Sequence, residues 1–349
     1  MAQLSFPFGV FVSNDEVFIA DTNNHRVRKV LRNGQIVTIC GTGVQGYNGD
    51  GQLATEAQLN YPYSVVVSSS DQVYISEFFG NRIRKIDRNG IISTIAGNGI
   101  EGYNGDGKLA ICAQLNTPSG LFVTKDEEVL FSDYGNRRVR KIDQNGIIST
   151  IAGNGVKGFT GDGQLAIDIS LDYPTSVFQY KNEIYIADSD NYKIRKVDQK
   201  GIISTIEGNR NIYPESIFVH HSDVYFTDRK SLLCKILPDG AIQIIAGIEN
   251  TIGFNGDDML ATQCKLNTPN GIFIDDDSQI YFAETLNNCI RRIDQNGMMS
   301  TVVGTAGVAG YSGDVPVTGP TFKLDSRSNV FFFLKKISTG NFRRGNLFI

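Results

Sequence analysis

The chain has few of the residues on which metal and disulfide sites depend. Only three histidines occur among 349 residues, and the five cysteines are an odd number that does not suggest a disulfide framework. A zinc centre of the lyase type needs several histidines that converge, and His25, His220 and His221 do not form such a set. We therefore predict no metal site and no cofactor, and we interpret the cysteines as small apolar side chains.

Long apolar runs and a strong net charge are also absent. No run of about 20 apolar residues occurs, so the sequence predicts no membrane-spanning helix. The formal net charge is −4, which disfavours broad, sequence-independent binding to nucleic acid. The first residues have neither the basic segment nor the apolar core of a signal peptide.

What the sequence does contain is one motif written six times. A proline marks each copy, at positions 7, 62, 118, 174, 214 and 269. The copies are 55 or 56 residues long, except the one from 174 to 214, which is 40 residues long and lacks a Gly-Asp-Gly segment. The indispensable unit is thus 40 residues with a removable insert, and a four-stranded unit of about this size is typical of a propeller blade.

The second copy shows the elements of this unit. Residues 64–67, 73–76, 82–86 and 91–95 are predicted strands, the third with its charges outward, and Asn89-Gly90 is a tight hairpin turn. We predict an all-β fold: a six-bladed β-propeller with four antiparallel strands per blade. Leu109, Cys112 and Leu115 have helical spacing, which predicts a short helix in each inter-blade insert, capped by Asp106.

One domain is expected to cover most of the chain. We assign residues 1–334 to the propeller, with a partial seventh copy near 321–333. Residues 335–349 match nothing in the repeat, and we expect them to form a poorly packed tail.

The segment around Asn24, His25 and Arg26 resembles the NHL repeat, with Arg26 in place of leucine. The Gly-Asp-Gly inserts and the Thr-Ile-Ala-Gly strand endings are similar to those of teneurin-type and of bacterial and protist NHL domains. The resemblance covers residues 2 to about 333. It implies a six-bladed propeller that serves as a protein- or ligand-binding platform; some relatives bind RNA, and related folds include lactonases.

Every copy keeps an acid after its second strand. A ring of carboxylates suggests a metal or catalytic site, but a catalytic pair needs only two of six. We therefore interpret the acids as structural residues that pair with a base of the third strand. The acids are Asp21, Glu77, Asp133, Asp188, Asp228 and Glu284, and the expected bases are Arg26, Arg82, Arg138 and Lys193.

The third strands together form a basic belt, which is the basis for an RNA-binding alternative. The other interpretation is a solvated charged strand that discourages edge pairing. The fifth copy has Leu232, Leu233 and Cys234 there, and we expect burial of these side chains rather than a partner contact.

The residue after each marker proline is expected to face the mouth of the central channel. These residues differ between copies, as a ligand site requires: Phe8, Tyr63, Ser119, Thr175, Glu215 and Asn270. Glu215 and Asn270 lie in neighbouring blades, so a metal-dependent lactonase or hydrolase remains an alternative.

The preferred hypothesis is a non-enzymatic platform that is one part of a larger protein. Its partner is expected to be a protein, with a small molecule or glycan as a further possibility and nucleic acid as the least favoured. The inserts are expected to form the contact surface.

Overall fold

The computed structural model describes residues 2–206 and 211–316. Its strands form six separate antiparallel sheets, each built from consecutive strands of the chain. The predicted six-bladed, four-stranded propeller is confirmed. The partial copy near 321–333 and the tail 335–349 lie outside the described residues.

The blades follow one another in chain order. Blade 1 contains β1 (Pro7–Ser13), β2 (Glu16–Asp21), β3 (Arg26–Val30) and β4 (Ile36–Cys40), and blade 2 contains β5 (Pro62–Val67), β6 (Val73–Glu77), β7 (Arg82–Ile86) and β8 (Ile92–Ala96). Blade 3 contains β9 (Pro118–Val123), β10 (Val129–Asp133), β11 (Arg138–Ile142) and β12 (Ile148–Ala152), and blade 4 contains β13 (Pro174–Tyr180), β14 (Glu183–Asp188), β15 (Lys193–Val197) and β16 (Ile203–Ile206). Blade 5 contains β17 (Pro214–His220), β18 (Asp223–Asp228), β19 (Leu232–Ile236) and β20 (Ile242–Ala246). In blade 6, the short β21 (Met259–Leu260) pairs with the outer edge of a sheet formed by β22 (Pro269–Ile274), β23 (Ile280–Glu284), β24 (Cys289–Ile293) and β25 (Met298–Gly304).

The predicted helices of the inserts are instead single 3₁₀ turns of three residues. They lie at Ala54–Glu56, Ala110–Cys112 and Ala261–Gln263, and similar turns after the second strands span Thr22–Asn24, Tyr134–Asn136, Ser189–Asn191 and Thr285–Asn287. No side-chain cap bonds to the turn at Ala110–Cys112, so the capping role given to Asp106 is wrong. Its carboxylate accepts a hydrogen bond from Arg140 of blade 3 instead.

The core lies between consecutive blades, where the apolar faces of two sheets pack together. The last blade closes onto the first in the same way. Val10 and Ile19 of blade 1 share a buried cluster with Tyr281 and Ile290 of blade 6. The backbone N–H of Ile36 also donates to the carbonyl of Val315 in the last insert. The ring is thus closed by packing and by an insert, with each blade made of its own consecutive strands.

Five blade junctions contain an interblade triad, which we define as a buried arginine held between two acids. One acid ends the second strand of the same blade, and the other follows a glycine in the insert that precedes the blade. Arg140 lies 3.1 Å from Asp133 and 2.6 Å from Asp106. The five triads are Asp21–Arg28–Asp314, Glu77–Arg84–Asp50, Asp133–Arg140–Asp106, Asp188–Arg195–Asp162 and Glu284–Arg291–Asp257.

The arginine in each triad is two residues beyond the expected one, so the pairing of the acids with Arg26, Arg82, Arg138 and Lys193 is wrong. Residues two apart share a face of a strand, so the alternation of the strand does not distinguish the two arginines. Arg138 donates to the carbonyls of Asn136 and Asn154 and lies over the Tyr103 ring, 3.8 Å from its centroid. It therefore holds the insert against the blade.

The basic belt is not an exposed surface. The triad arginines are fully buried, which corrects the expectation that the third-strand charges point outward. Four lysines at the next position of the third strand are paired with an acid at, or one residue before, the start of the second strand, for example Lys141 with Glu128 at 2.8 Å. The others are Lys29–Glu16, Lys196–Glu183 and Lys235–Asp223.

Blade 5 departs from this plan at two linked positions. The connection that leads to it lacks the insert, and Cys234 occupies the place of the buried arginine. Leu232, Leu233 and Cys234 are all buried, and Leu232 and Cys234 pack in one apolar cluster with Ile212. Since a buried guanidinium without its carboxylates is costly, loss of the insert acid and loss of the arginine belong together.

Helices that could cross a membrane are not found in the described part of the chain.

Candidate functional site

The first strands surround the central axis and open to one face, which we call the channel mouth. Phe8, Tyr63, Thr175, Glu215 and Asn270 line the channel. Ser119, the sixth predicted mouth residue, is buried, and its hydroxyl donates to the carbonyl of Thr175 at 2.9 Å.

Two more of these residues are engaged within the protein. The Asn270 amide donates to the hydroxyl of Thr285 at 2.6 Å and is almost fully buried. The Thr175 hydroxyl hydrogen-bonds with that of Ser189 at 2.7 Å. Phe8, Tyr63 and Glu215 are therefore the predicted residues that remain to meet a ligand.

Glu215 belongs to an ionic cluster at the rim that also contains Asp190 and Arg229. Arg229 donates through Nε to Glu215, and through Nη1 to Asp190 at 2.8 Å. Burial raises the pKa of Glu215, and the Arg229 charge opposes that shift. Burial would lower the pKa of Arg229, but the charges and hydrogen bonds of Glu215 and Asp190 together outweigh it, and the net shift is upward. The cluster therefore places two carboxyl groups against one guanidinium.

Aromatic rings fill the other side of the mouth and form what we call the aromatic crescent. Tyr63 stacks on Phe8 at 4.5 Å between ring centroids and on Phe78 at 5.2 Å. Phe78 in turn contacts Phe79 and Tyr134. The crescent consists of Phe8, Tyr61, Tyr63, Phe78, Phe79, Tyr134 and Tyr173. It spans blades 1 to 3 and the start of blade 4, so the mouth is asymmetric in composition.

The crescent and the ionic cluster meet around a cavity of about 360 Å³. Its lining includes Tyr63, Phe78, Tyr134, Glu215 and Arg229. Burial raises the pKa of Tyr63 and of Tyr134, with the nearby carboxylates contributing, so both phenols stay protonated at neutral pH. A mostly apolar cavity with a few convergent polar groups is the usual form of a small-molecule site.

The residue that follows the second-strand acid explains the asymmetry. In three blades it is a threonine or serine whose hydroxyl bonds to the marker-proline carbonyl of the next blade; Thr22 bonds to Pro62 at 2.6 Å and Thr285 to Pro7 at 2.7 Å. Ser189 does the same. The other three blades place Phe78, Tyr134 and Arg229 there, and all three line the mouth cavity.

Sequence reasoning did not identify Phe78, Tyr134 or Arg229 as site residues. The signal is present in the repeat: the residue after the acid is a small hydroxyl residue in three copies and a large side chain in the other three. This position varies between copies just as the position after the marker proline does.

The lower end of the channel is apolar. The residue three positions beyond each mouth residue is phenylalanine in five blades and Val66 in blade 2. Neighbouring rings touch, for example Phe11 with Phe273 at 4.7 Å between centroids. The five rings are Phe11, Phe122, Phe178, Phe218 and Phe273.

A metal centre built on Glu215 and Asn270 has little support in the geometry. Asn270 is committed to Thr285, and the guanidinium of Arg229 lies against Glu215. Within residues 2–206 and 211–316, no group of three or more His, Cys, Asp or Glu side chains is placed to hold a metal ion.

Comparison with known families agrees with the repeat geometry. The teneurin NHL domain model matches residues 40–104 and 250–318, and the NHL repeat model matches residues 4–30. The chain thus carries NHL-repeat sequence on a six-bladed β-propeller. The NHL propeller is 26% identical to chicken teneurin-1 over 335 residues, covering 80% of this chain but 12% of teneurin-1. It thus spans about a tenth of the length of the teneurins it matches.

Solved structures of low sequence identity share the fold of this NHL propeller. A gluconolactonase from Xanthomonas campestris has a TM-score of 0.57 and 13% identity, covering 86% of this chain and 87% of that one. A virginiamycin B lyase from Staphylococcus aureus has a TM-score of 0.54 and 17% identity, covering 86% and 84%. Identities this low establish the architecture and carry no activity across.

Proposed function

We propose that this NHL propeller is a non-catalytic binding platform whose ligand contacts the channel mouth. The observation that carries the proposal is the asymmetry of the position after the second-strand acid. In three blades the residue at this position forms a hydrogen bond to the next blade. The other three give it to Phe78, Tyr134 and Arg229, side chains that enter one cavity.

A purely structural origin would favour the same residue in every blade. In a repeat protein each unit mainly contacts its neighbours, so a residue that serves the unit recurs. The triads follow this rule, and the mouth does not. Half-exposed aromatic rings beside a fixed ionic cluster are instead the composition of binding surfaces.

The same face also suits a protein partner. The inserts leave from and return to this face, and each carries an exposed aliphatic residue at its tip. These are Val44, Ile100, Val156, Ile252 and Val308, with 41–68% of each residue exposed. Phe79 is 56% exposed beside them. The similarity to teneurin NHL domains supports a role in protein interactions.

The inserts also have a structural role, which limits the changes that can test them as a contact surface. Their aspartates complete the triads, so deleting an insert removes a blade junction together with any contact surface. Point changes at the exposed tips are the cleaner probe, because those side chains are free of the triads.

A library of small metabolites and short peptides, screened by thermal shift, tests the proposal. Ligands of the mouth should stabilise the wild type and the control variant Ile111→Ser, which alters an exposed insert residue. They should fail to stabilise Tyr134→Leu. Each hit should be recovered chemically unchanged, with or without divalent cations. Turnover that depends on Glu215 and a divalent ion would overturn the proposal in favour of a hydrolase.

A further inference from the structure

The channel continues below the mouth into an apolar cavity of about 250 Å³. Glycines and small residues form its waist, including Gly9, Gly120 and Gly271. A Cβ added at any of these three would lie within 3 Å of the backbone of the adjacent blade. The first strands of neighbouring blades therefore approach closely at this waist.

The phenylalanine ring at the floor is interrupted at one place. Val66 in blade 2 occupies the register position of Phe11 and Phe122, opposite Tyr74 on the neighbouring strand. Ring contacts run from Phe11 through Phe273, Phe218 and Phe178 to Phe122, and the valine lies between the two ends of that chain. The smaller side chain leaves the ring of phenylalanines incomplete.

At the rim above this cavity, two carboxyl groups face one guanidinium. Glu215 and Asp190 share the single guanidinium of Arg229. Each carboxylate uses one oxygen for that contact, and among the described residues its second oxygen accepts no side-chain hydrogen bond. The faces of aromatic rings are also electronegative and attract cations. Both features favour a positive group over a negative one.

We propose that the channel mouth binds an amphipathic organic cation, with an ammonium group between the Glu215–Asp190 pair and the aromatic crescent, and an apolar chain directed into the channel. This inference rests on the proposed function, because it names the ligand class of the same site. Apolar cavities accept hydrocarbon in preference to water, so the channel favours the apolar chain. The carboxyl groups at the rim favour the positive head group.

Three probes with the same six-carbon chain separate the parts of the proposal: hexylammonium, hexanol and hexanoate. They differ in the charge of the head group and little in the tail. Titration calorimetry at neutral pH on the whole chain should give the order hexylammonium, hexanol, hexanoate. We expect roughly tenfold between the first two, as one net charge in a partly buried site allows.

Two variants address the two halves of the ligand. Glu215→Gln removes one rim charge and should reduce the preference for hexylammonium over hexanol at least fivefold, with hexanol binding little changed. Val66→Phe completes the phenylalanine ring and should weaken binding of all three probes. Val44→Phe, on an exposed insert tip, is the matched control and should bind as the wild type does.

The outcomes distinguish this inference from the proposed function. If the three probes bind equally, or hexanoate binds best, the assignment of a cationic ligand is wrong, but the proposal of a binding site at the mouth stands. If binding is charge-selective but unaffected by Glu215→Gln in a folded variant, the rim assignment is wrong. If no probe binds and the metabolite screen also finds no ligand at the mouth, the proposed function fails as well.

Discussion

Asp106 and Arg140 join two blades: the aspartate of one insert reaches a guanidinium that is fully buried in the next blade, at 2.6 Å. The same arginine is held by Asp133 from its own blade. Removing a partner from a buried ion pair leaves an uncompensated charge, which is costly even where the intact pair contributes little. The interblade triads therefore specify how blades meet.

Asp106→Asn should lower the free energy of unfolding by about 2 kcal/mol, because Arg140 then keeps a single carboxylate. Chemical denaturation measures the effect. Asp126→Asn, at an exposed turn, is the control and should change stability little. Equal stability of the two variants would show that the insert acid does not hold the junction.

Cys234→Arg should destabilise blade 5 by at least about 3 kcal/mol, because the new charge would be buried without an insert acid. The native residue lies in an apolar cluster with Ile212 and Leu232. Cys234→Ala is the control for loss of the thiol and should cost less. A folded Cys234→Arg variant of native stability would contradict the coupling of insert and arginine.

Thr285→Val should weaken the closure of the ring between blades 6 and 1. The Thr285 hydroxyl donates to the carbonyl of Pro7 at 2.7 Å, and it also accepts from Asn270. Valine retains the shape of the side chain but loses these hydrogen bonds, which should lower the free energy of unfolding by about 1–2 kcal/mol. Thr117→Val provides a comparison in which the hydroxyl bonds only to neighbouring Asn116. If Thr285→Val and Thr117→Val lose the same stability, the hydrogen bond between Thr285 and Pro7 has no special role in closing the ring.

Stability should fall as the pH rises from about 4 to about 7, because buried acids hold their protons longer in the folded state than in the unfolded state. Burial raises the pKa of Glu77 to about 7 and that of Asp21 and Asp133 to about 6. At Asp162 burial acts upward, but hydrogen bonds from Thr205 make the net shift downward, so this acid favours folding at higher pH.

The balance of these effects places the stability maximum at about pH 4. The melting temperature measured from pH 4 to pH 8 tests it. Glu77→Gln should flatten the decline between about pH 5 and pH 7. A melting temperature that rises steadily to pH 8 would contradict the raised pKa values of the second-strand acids.

The fold was predictable because the sequence pattern of each element occurs six times. The marker prolines, the Asn-Gly turn and the alternation of residues 73–76 each correspond to an observed strand or turn. The inserts were less predictable, since Leu109, Cys112 and Leu115 have helical spacing but lie around a three-residue turn. Their conformation is set by tertiary contacts, with Asn104 accepting from the backbone of Gln114.

The site was only partly predictable. Comparing equivalent positions of the repeat does not reveal which side chains form hydrogen bonds within the protein. Ser119 and Asn270 belong to the variable column yet are used in hydrogen bonds between or within blades. Tyr63 and Glu215, from the same column, face the cavity. The difference depends on side-chain directions that a sequence does not contain.

The most direct measurement of the central claim is a crystallographic fragment screen of the whole chain, in which a bound molecule shows its own location. The account predicts that fragments accumulate in the mouth between Phe78, Tyr134 and Glu215, with ammonium-bearing fragments at the rim and Arg229 still paired to Glu215. Fragments that bind only elsewhere, or a divalent ion coordinated by Glu215 in place of Arg229, would contradict it.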